Sequence, residues 1–199
     1  MKTLKNIYIS SIYQNAGKTT VALGFYKIFR ERKLSPAFLK PVGQQTVVTG
    51  GMDIDKDSFL LASVYRCRGL KEMSPVTIGR GYTEKYILSP NKEELRDKIL
   101  SAFAKLSRGH RSMIIEGTGH AGVGSVVDVS NADVAKMLGS KVIIVAEGGI
   151  GKCIDEVMLN KALFDLKGVE VLGVIVNKVL PEKFERIKEI LTVGFQRKG

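Results

Sequence analysis

Five short apolar runs recur along the chain, around Ile7–Ser10, Ala37–Leu39, Met113–Ile115, Val142–Ala146 and Val171–Val176. A strand with one face in water alternates polar and apolar residues, whereas near-continuous apolar runs belong to strands covered on both faces. Helical periodicity fills the segments between them. It is clearest over Lys92–Leu106, where Leu95, Ile99, Leu100, Phe103 and Leu106 fall on one side. Strands alternating with helices predict a three-layer α/β/α fold with a mostly parallel central sheet. At 199 residues the chain can bury one substantial core, so a single domain over residues 1–199 is expected.

The first strand runs into the loop Ser11-Ile12-Tyr13-Gln14-Asn15-Ala16-Gly17, and Lys18-Thr19-Thr20 then opens an apolar-periodic helix. That order suits a triphosphate. Backbone N–H groups of Asn15 to Thr20 face the phosphates at a helix N-terminus, Lys18 lies along the β/γ oxygens, and the Thr19 hydroxyl can ligate Mg²⁺. The usual spacing G-x-x-x-x-G-K-[ST] puts its first glycine at position 12, which is Ile12 here. With this motif the predicted architecture becomes a P-loop NTPase fold.

Ligands of a parallel sheet bind at the carboxyl ends of its strands. The second strand ends in Lys40-Pro41, the third in Glu116-Gly117-Thr118-Gly119-His120, and the last in Asn177-Lys178. Glu116 is placed to hold Mg²⁺ or its water beside Thr19. Asp53, Asp55 and Asp57 offer one further metal ligand, but they lack the glycine and distal glutamate of a calcium loop. Lys40 is placed to meet a γ-phosphate or the group being phosphorylated, although a surface lysine fits the spacing as well. Asn177 reads either as a contact to a nucleobase edge or as a strand-end turn residue. Gly148-Gly149-Ile150-Gly151-Lys152 resembles a second phosphate loop, yet Cys153 stands where Ser or Thr belongs, so a turn into a helix is expected there. His120, flanked by glycines and without a visible partner, reads as a loop residue.

The segment 43–52 is rich in Gly and Thr and reads as a loop, and residues 69–90 read as irregular. Final-helix periodicity spans about Pro181–Leu191, with Pro181 in the first turn. Two cysteines, Cys67 and Cys153, are too few for a disulfide framework and lack metal-ligand spacing; they fit a reducing cytoplasm. There is no run of about 18 apolar residues, so no membrane span is expected. The net charge of +11 comes from 31 basic and 20 acidic residues spread over several helix surfaces. Without interleaved aromatic residues this reads as a solvated surface attracting anionic ligands rather than as a nucleic-acid site.

Taken in order, Ser10–Thr19, Leu39-Lys40-Pro41-Val42, Ile115-Glu116-Gly117-Thr118-Gly119, the 148–159 turn and helix, and Gly173–Lys178 resemble the motifs of dethiobiotin synthetase. They are also similar to cobyrinic acid a,c-diamide synthase. The nearest likeness is to the dethiobiotin-synthetase-like N-terminal domain of phosphotransacetylase-family proteins, through Phe38–Gln44, Glu116–Asp133 and Val171–Lys183. The resemblance implies ATP with Mg²⁺, a small-molecule carboxylate or amine substrate, and a homodimer. It also implies that Lys18 binds phosphate, that Thr19, Asp57 and Glu116 surround Mg²⁺, that Lys40 meets the carbamate and that Asn177 meets adenine. Tyr13 stands where the synthetase carries an acid, Gln44 where it carries a small hydroxyl residue, and Gly119-His120 where it carries Gly-Gly. Nucleotide-side positions are kept and diamine-side positions are altered. In relatives a further strand begins near Phe195–Gly199, so the chain reads as shortened or as one domain of a longer protein, with an open sheet edge.

The expected function is an ATP-dependent ligase that phosphorylates a carbamate or carboxylate for C–N bond formation. An ATP-sensing regulatory domain is the alternative. A DNA-partitioning ATPase is disfavoured, because Asn15 stands where the phosphate loop of those proteins carries a second lysine.

Overall fold

The computed structural model describes residues 5–198. β1 (Lys5–Ser11) leads into α1 (Lys18–Glu31) and β2 (Pro36–Leu39); short β3 (Val42–Gly43), β4 (Thr46–Thr49) and β5 (Met52–Asp55) precede α2 (Lys56–Tyr65) and α3 (Leu70–Met73). β6 (Val76–Thr77), α4 (Tyr82–Leu88) and α5 (Lys92–Ser107) follow, then β7 (Ser112–Glu116) and α6 (Asn131–Met137). The chain continues with β8 (Lys141–Glu147), α7 (Gly151–Leu166), β9 (Val171–Asn177) and α8 (Phe184–Gln196).

The five apolar runs form one sheet in the order β2-β7-β1-β8-β9, and all four pairings are parallel. Interior β7 is buried along its full length, and Ile9, Met113, Ile114, Ile115, Val142 and Ile144 are fully enclosed. Helices cover both faces: α1 packs on β1, β2 and β7, α5 on β2, and α7 on β8 and β9. Parallel pairing carries every carboxyl end to the same rim of the sheet, so residues distant in sequence meet there. β9 pairs only with β8 among the described residues and forms one sheet edge.

Two expectations change. Segment 43–52, expected as a loop, contains half of a hairpin: β4 and β5 pair antiparallel with Thr49 opposite Met52. Gly50 and Gly51 supply the turn at φ 56° and 74°, the left-handed geometry that a two-residue hairpin turn requires and glycine adopts freely. Residues 69–90, expected as irregular, hold α3, β6 and α4. These elements are short, and among the described residues β6 pairs only with two-residue β3, so their sequence shows little periodicity. The final helix begins as a 3-10 turn at Pro181–Lys183 and extends to Gln196.

Candidate functional site

The loop between β1 and α1 is shaped by what lies around it. Ile12, in place of the usual glycine, is buried in the core at 3% exposure. Gly17 has φ +104°, and a Cβ there would lie 2.1 Å from Asn177 Nδ2. Glycine is therefore required on both conformational and steric grounds. The Asn177 amide donates to the Ala16 carbonyl at 3.0 Å, and the Lys178 ammonium donates to the Asn15 carbonyl at 2.7 Å. Glu147, ending β8, accepts from both the Tyr13 hydroxyl and Lys178. Three side chains at the ends of β8 and β9 thus hold the loop from outside. Inside it, the buried Lys18 ammonium donates to Ser11 Oγ at 3.1 Å. Burial, and then the nearby Lys40 charge, lower the Lys18 pKa against the pull of Glu116 and Asp57.

Beside Lys18 lies a second cluster drawn from four elements. Lys40, one residue past β2, is 3% exposed. Its ammonium donates to Asp57 Oδ2 at 2.6 Å, Glu116 Oε1 at 3.1 Å and the Gly117 carbonyl at 3.2 Å. Thr19 Oγ1 lies 2.9 Å from Asp57 Oδ1 and 3.0 Å from Glu116 Oε1. A hydroxyl has only one proton to donate, so the second of these contacts is satisfied when a carboxyl is protonated. Glu116 suits that role: burial, together with the charge of Asp57, pushes it up to about 7 despite Lys40. Asp57 goes the other way, because Lys40 and the Thr19 hydrogen bond outweigh its burial and hold it below the ordinary carboxylate range. Lys40 is itself depressed by burial, but the charges of Glu116 and Asp57 prevail and raise it.

Of the three aspartates, only Asp57 reaches this cluster. Asp55 caps α2, its Oδ1 accepting from the Asp57 amide at 2.9 Å, and Asp53 lines a separate groove with Lys71 and Lys98. A cleft of about 290 Å³ runs over Gly17, Lys18, Thr19 and Thr20 to Lys40, Asp57, Glu116 and Gly119. Its far wall carries Gln14, Gln44, Gln45 and Lys56, and an exposed hydrogen bond of 3.3 Å joins Gln14 to Gln44. His120 is an exposed loop residue whose Nδ1 accepts from the Gly122 amide at 3.2 Å. The glycine-rich turn at 148–152 leads into α7, with Lys152 5.2 Å above the Tyr13 ring.

The site can be tested for Mg²⁺ on its own oxygens. Glu116 Oε2 is buried without a hydrogen-bond partner, an orphan acceptor that costs stability unless a proton or cation meets it. Two carboxylates and a hydroxyl are hard oxygen donors of the type Mg²⁺ prefers alongside phosphate oxygens and water. No group of three acidic, histidine or cysteine side chains arranged to hold a metal ion occurs among the described residues, so a protein-only metal cage is absent among them while a phosphate-sharing site fits. Sequence reading missed Ser11 and the Gly117 carbonyl as partners of the two lysines, and it missed Glu147 as the anchor of the loop. Ser11 belongs to the first strand pattern and Glu147 ends an apolar run, so a strand-end rule applied to β8 finds the second.

Comparison with known proteins bears on the family and the fold. A dethiobiotin synthetase described as ATP-dependent, from Methanococcus vannielii, is 30% identical over 178 residues, covering 86% of this chain and 78% of its own. A phosphate acetyltransferase of Nitratidesulfovibrio vulgaris is 28% identical over 91% of this chain, which spans only 26% of that enzyme. In fold, the kinase domain of the Escherichia coli tyrosine kinase ETK superposes with TM-score 0.58 at 18% identity, over 89% of this chain and 68% of that one. A plasmid partition protein from Borrelia burgdorferi gives 0.54 at 12% identity, over 94% and 87%. With residues 5–194 matching the family described as an AAA domain, the chain belongs to that family, as a P-loop ATPase of the dethiobiotin-synthetase-like kind.

Proposed function

We propose that this protein uses ATP with Mg²⁺ to phosphorylate a carboxylate or carbamate and so prepare it for C–N bond formation. The observation that carries this reading is the placement of Lys40 beside Thr19, Asp57 and Glu116 and next to Lys18. Nucleotide binding alone does not require a buried lysine beyond the phosphate loop. In this reading the backbone of Asn15 to Thr20 and the Lys18 ammonium cradle the β- and γ-phosphates. Asn177, with one amide arm fixed to Ala16, offers its carbonyl to the adenine amino group. Thr19, Asp57 and Glu116 would hold Mg²⁺, which when bound neutralises phosphate charge. Lys40 binds the acceptor anion. An acceptor oxygen attacks the γ-phosphorus, the P–O bond to ADP breaks, and the resulting acyl or carbamoyl phosphate loses phosphate when an amine attacks its carbonyl carbon. Lys40 stabilises charge on the transferred group during the first step.

A regulatory ATP-sensing domain is the second reading, favoured by the similarity to a phosphate acetyltransferase across most of this chain. Co-crystallisation with a non-hydrolysable ATP analogue, Mg²⁺ and a panel of carboxylic acids and diamines separates the two. An acceptor beside Lys40 is expected, and nucleotide bound with that position vacant across the panel would favour the sensor.

A further inference from the structure

We infer that Lys40 is a resident cation at the metal position, so that the metal and the Lys40 ammonium exclude one another and the metal releases Lys40 for the acceptor. This rests on the proposed reading of the site and adds an order of events to it. The ammonium lies 2.6 Å from Asp57 Oδ2 and 3.1 Å from Glu116 Oε1. The same two carboxylates, with Thr19, form the oxygen set suited to Mg²⁺. Lys40 is almost wholly enclosed, and its contacts are these carboxylates and the Gly117 carbonyl. In that position its charge is spent on the protein and none is left for an incoming anion.

Two cations cannot share these two carboxylates, of which Glu116 is buried and Asp57 is 30% exposed to the cleft, without strong repulsion between them. When a divalent ion takes the carboxylates, the ammonium loses its partners, and the open direction is the cleft lined by Gln14, Gln44 and Lys56. There it would meet the acceptor. The device serves the chemistry in two ways. It pairs the buried Glu116 and the partly exposed Asp57 when no metal is present, since an unpaired buried charge is strongly destabilising. It also withholds the acceptor-binding charge until the metal has arrived, so acceptor binding follows metal binding.

The test uses the full chain without nucleotide and Mn²⁺ as the probe, with free Mn²⁺ read by electron paramagnetic resonance. Lys40→Met removes the competing cation, and Mn²⁺ is expected to bind it at least about ten-fold more tightly than the wild type. Equal or weaker binding by a folded variant overturns the inference. If the variant does not fold, the wild type decides. Acylation of Lys40 by acetic anhydride, mapped by mass spectrometry and normalised to exposed Lys27, is expected to rise several-fold as Mn²⁺ is added, and a flat profile overturns the inference. Failure of the wild type to bind Mn²⁺ even with ATP would instead overturn the reading of the site on which the inference rests.

Discussion

The two walls of the cleft are built to different standards. On the nucleotide side the loop is fastened at Tyr13, Asn15 and Ala16 by Glu147, Lys178 and Asn177, and Lys18 is buried. On the acceptor side the facing groups are Gln14 and Gln44, which are exposed and joined by a single hydrogen bond of 3.3 Å. A surface bond of that kind contributes little and exchanges readily with water. Preorganised donors suit a ligand whose phosphates have the same shape in every turnover. Adaptable amides suit one whose shape differs between relatives. The contrast teaches that the wall carrying the phosphate loop is fastened, while the facing wall, the acceptor side of the proposed reading, is left soft.

The largest effect that would break this contrast comes from the rigid wall. Lys18→Ala is expected to lower ATP affinity by roughly 100-fold, the scale of a charge-assisted hydrogen bond lost from a buried place. Isothermal titration giving near-wild-type affinity would show that the loop does not bind phosphate through this lysine. Lys40→Ala is expected to destabilise the fold by about 2–4 kcal/mol, because the buried Glu116 and the partly exposed Asp57 lose their counter-ion. Urea denaturation checks this, and a change below about 1 kcal/mol would mean that water reaches the cluster freely.

Glu116→Gln sharpens the comparison by separating binding from turnover. Nucleotide affinity is expected to stay within a few-fold while any ATP-dependent turnover disappears; equal turnover in the variant would remove Glu116 from the metal role. The same variant reports on pH. A carboxyl raised from 4.5 to about 7 holds its proton more tightly in the folded state than in the unfolded state. Its contribution to stability is therefore fully present below 4.5 and is lost as pH rises through about 7, a change on the order of 3 kcal/mol. Glu116→Gln is expected to flatten that part of the stability curve, and thermal melts from pH 4 to 8 that matched the wild type would contradict it. The smallest effects belong to the soft wall. Gln14→Ala and Gln44→Ala are expected to change stability by less than about 0.5 kcal/mol and to leave ATP affinity unaltered. A large loss of ATP affinity in either would mean that the two walls are not separate.

The sheet and the phosphate loop were legible in the sequence because their signals are local. An unbroken apolar run is visible within its own few residues, and Gly17-Lys18-Thr19 sits where a strand meets a helix. The hairpin was less legible, although Gly50-Gly51 between Thr-Val-Val-Thr and Met-Asp-Ile-Asp is itself a turn signal. Its exposed Val48 and Thr46 gave none of the apolar continuity that marked the other strands. Asp55 and Asp57 both line the cleft, and what separates them is that the Asp55 carboxylate is engaged by the α2 cap while that of Asp57 meets Thr19 and Lys40. Resemblance favoured Asp57, and the cap formed by Asp55 supplies the physical reason. The anchoring of the loop by Glu147 and Lys178 was hidden because it joins strand ends more than 130 residues downstream.

That separation has a consequence for synthesis on the ribosome. The hydrogen bond from Asn177 to Ala16 spans 161 positions, so the loop emerges that many residues before its last tether. A nascent chain with four strands can already bury much of its core. The fastened form of the loop would still wait until β9 has left the exit tunnel and docked, which places its final shape after the collapse of the first four strands rather than at the start of folding.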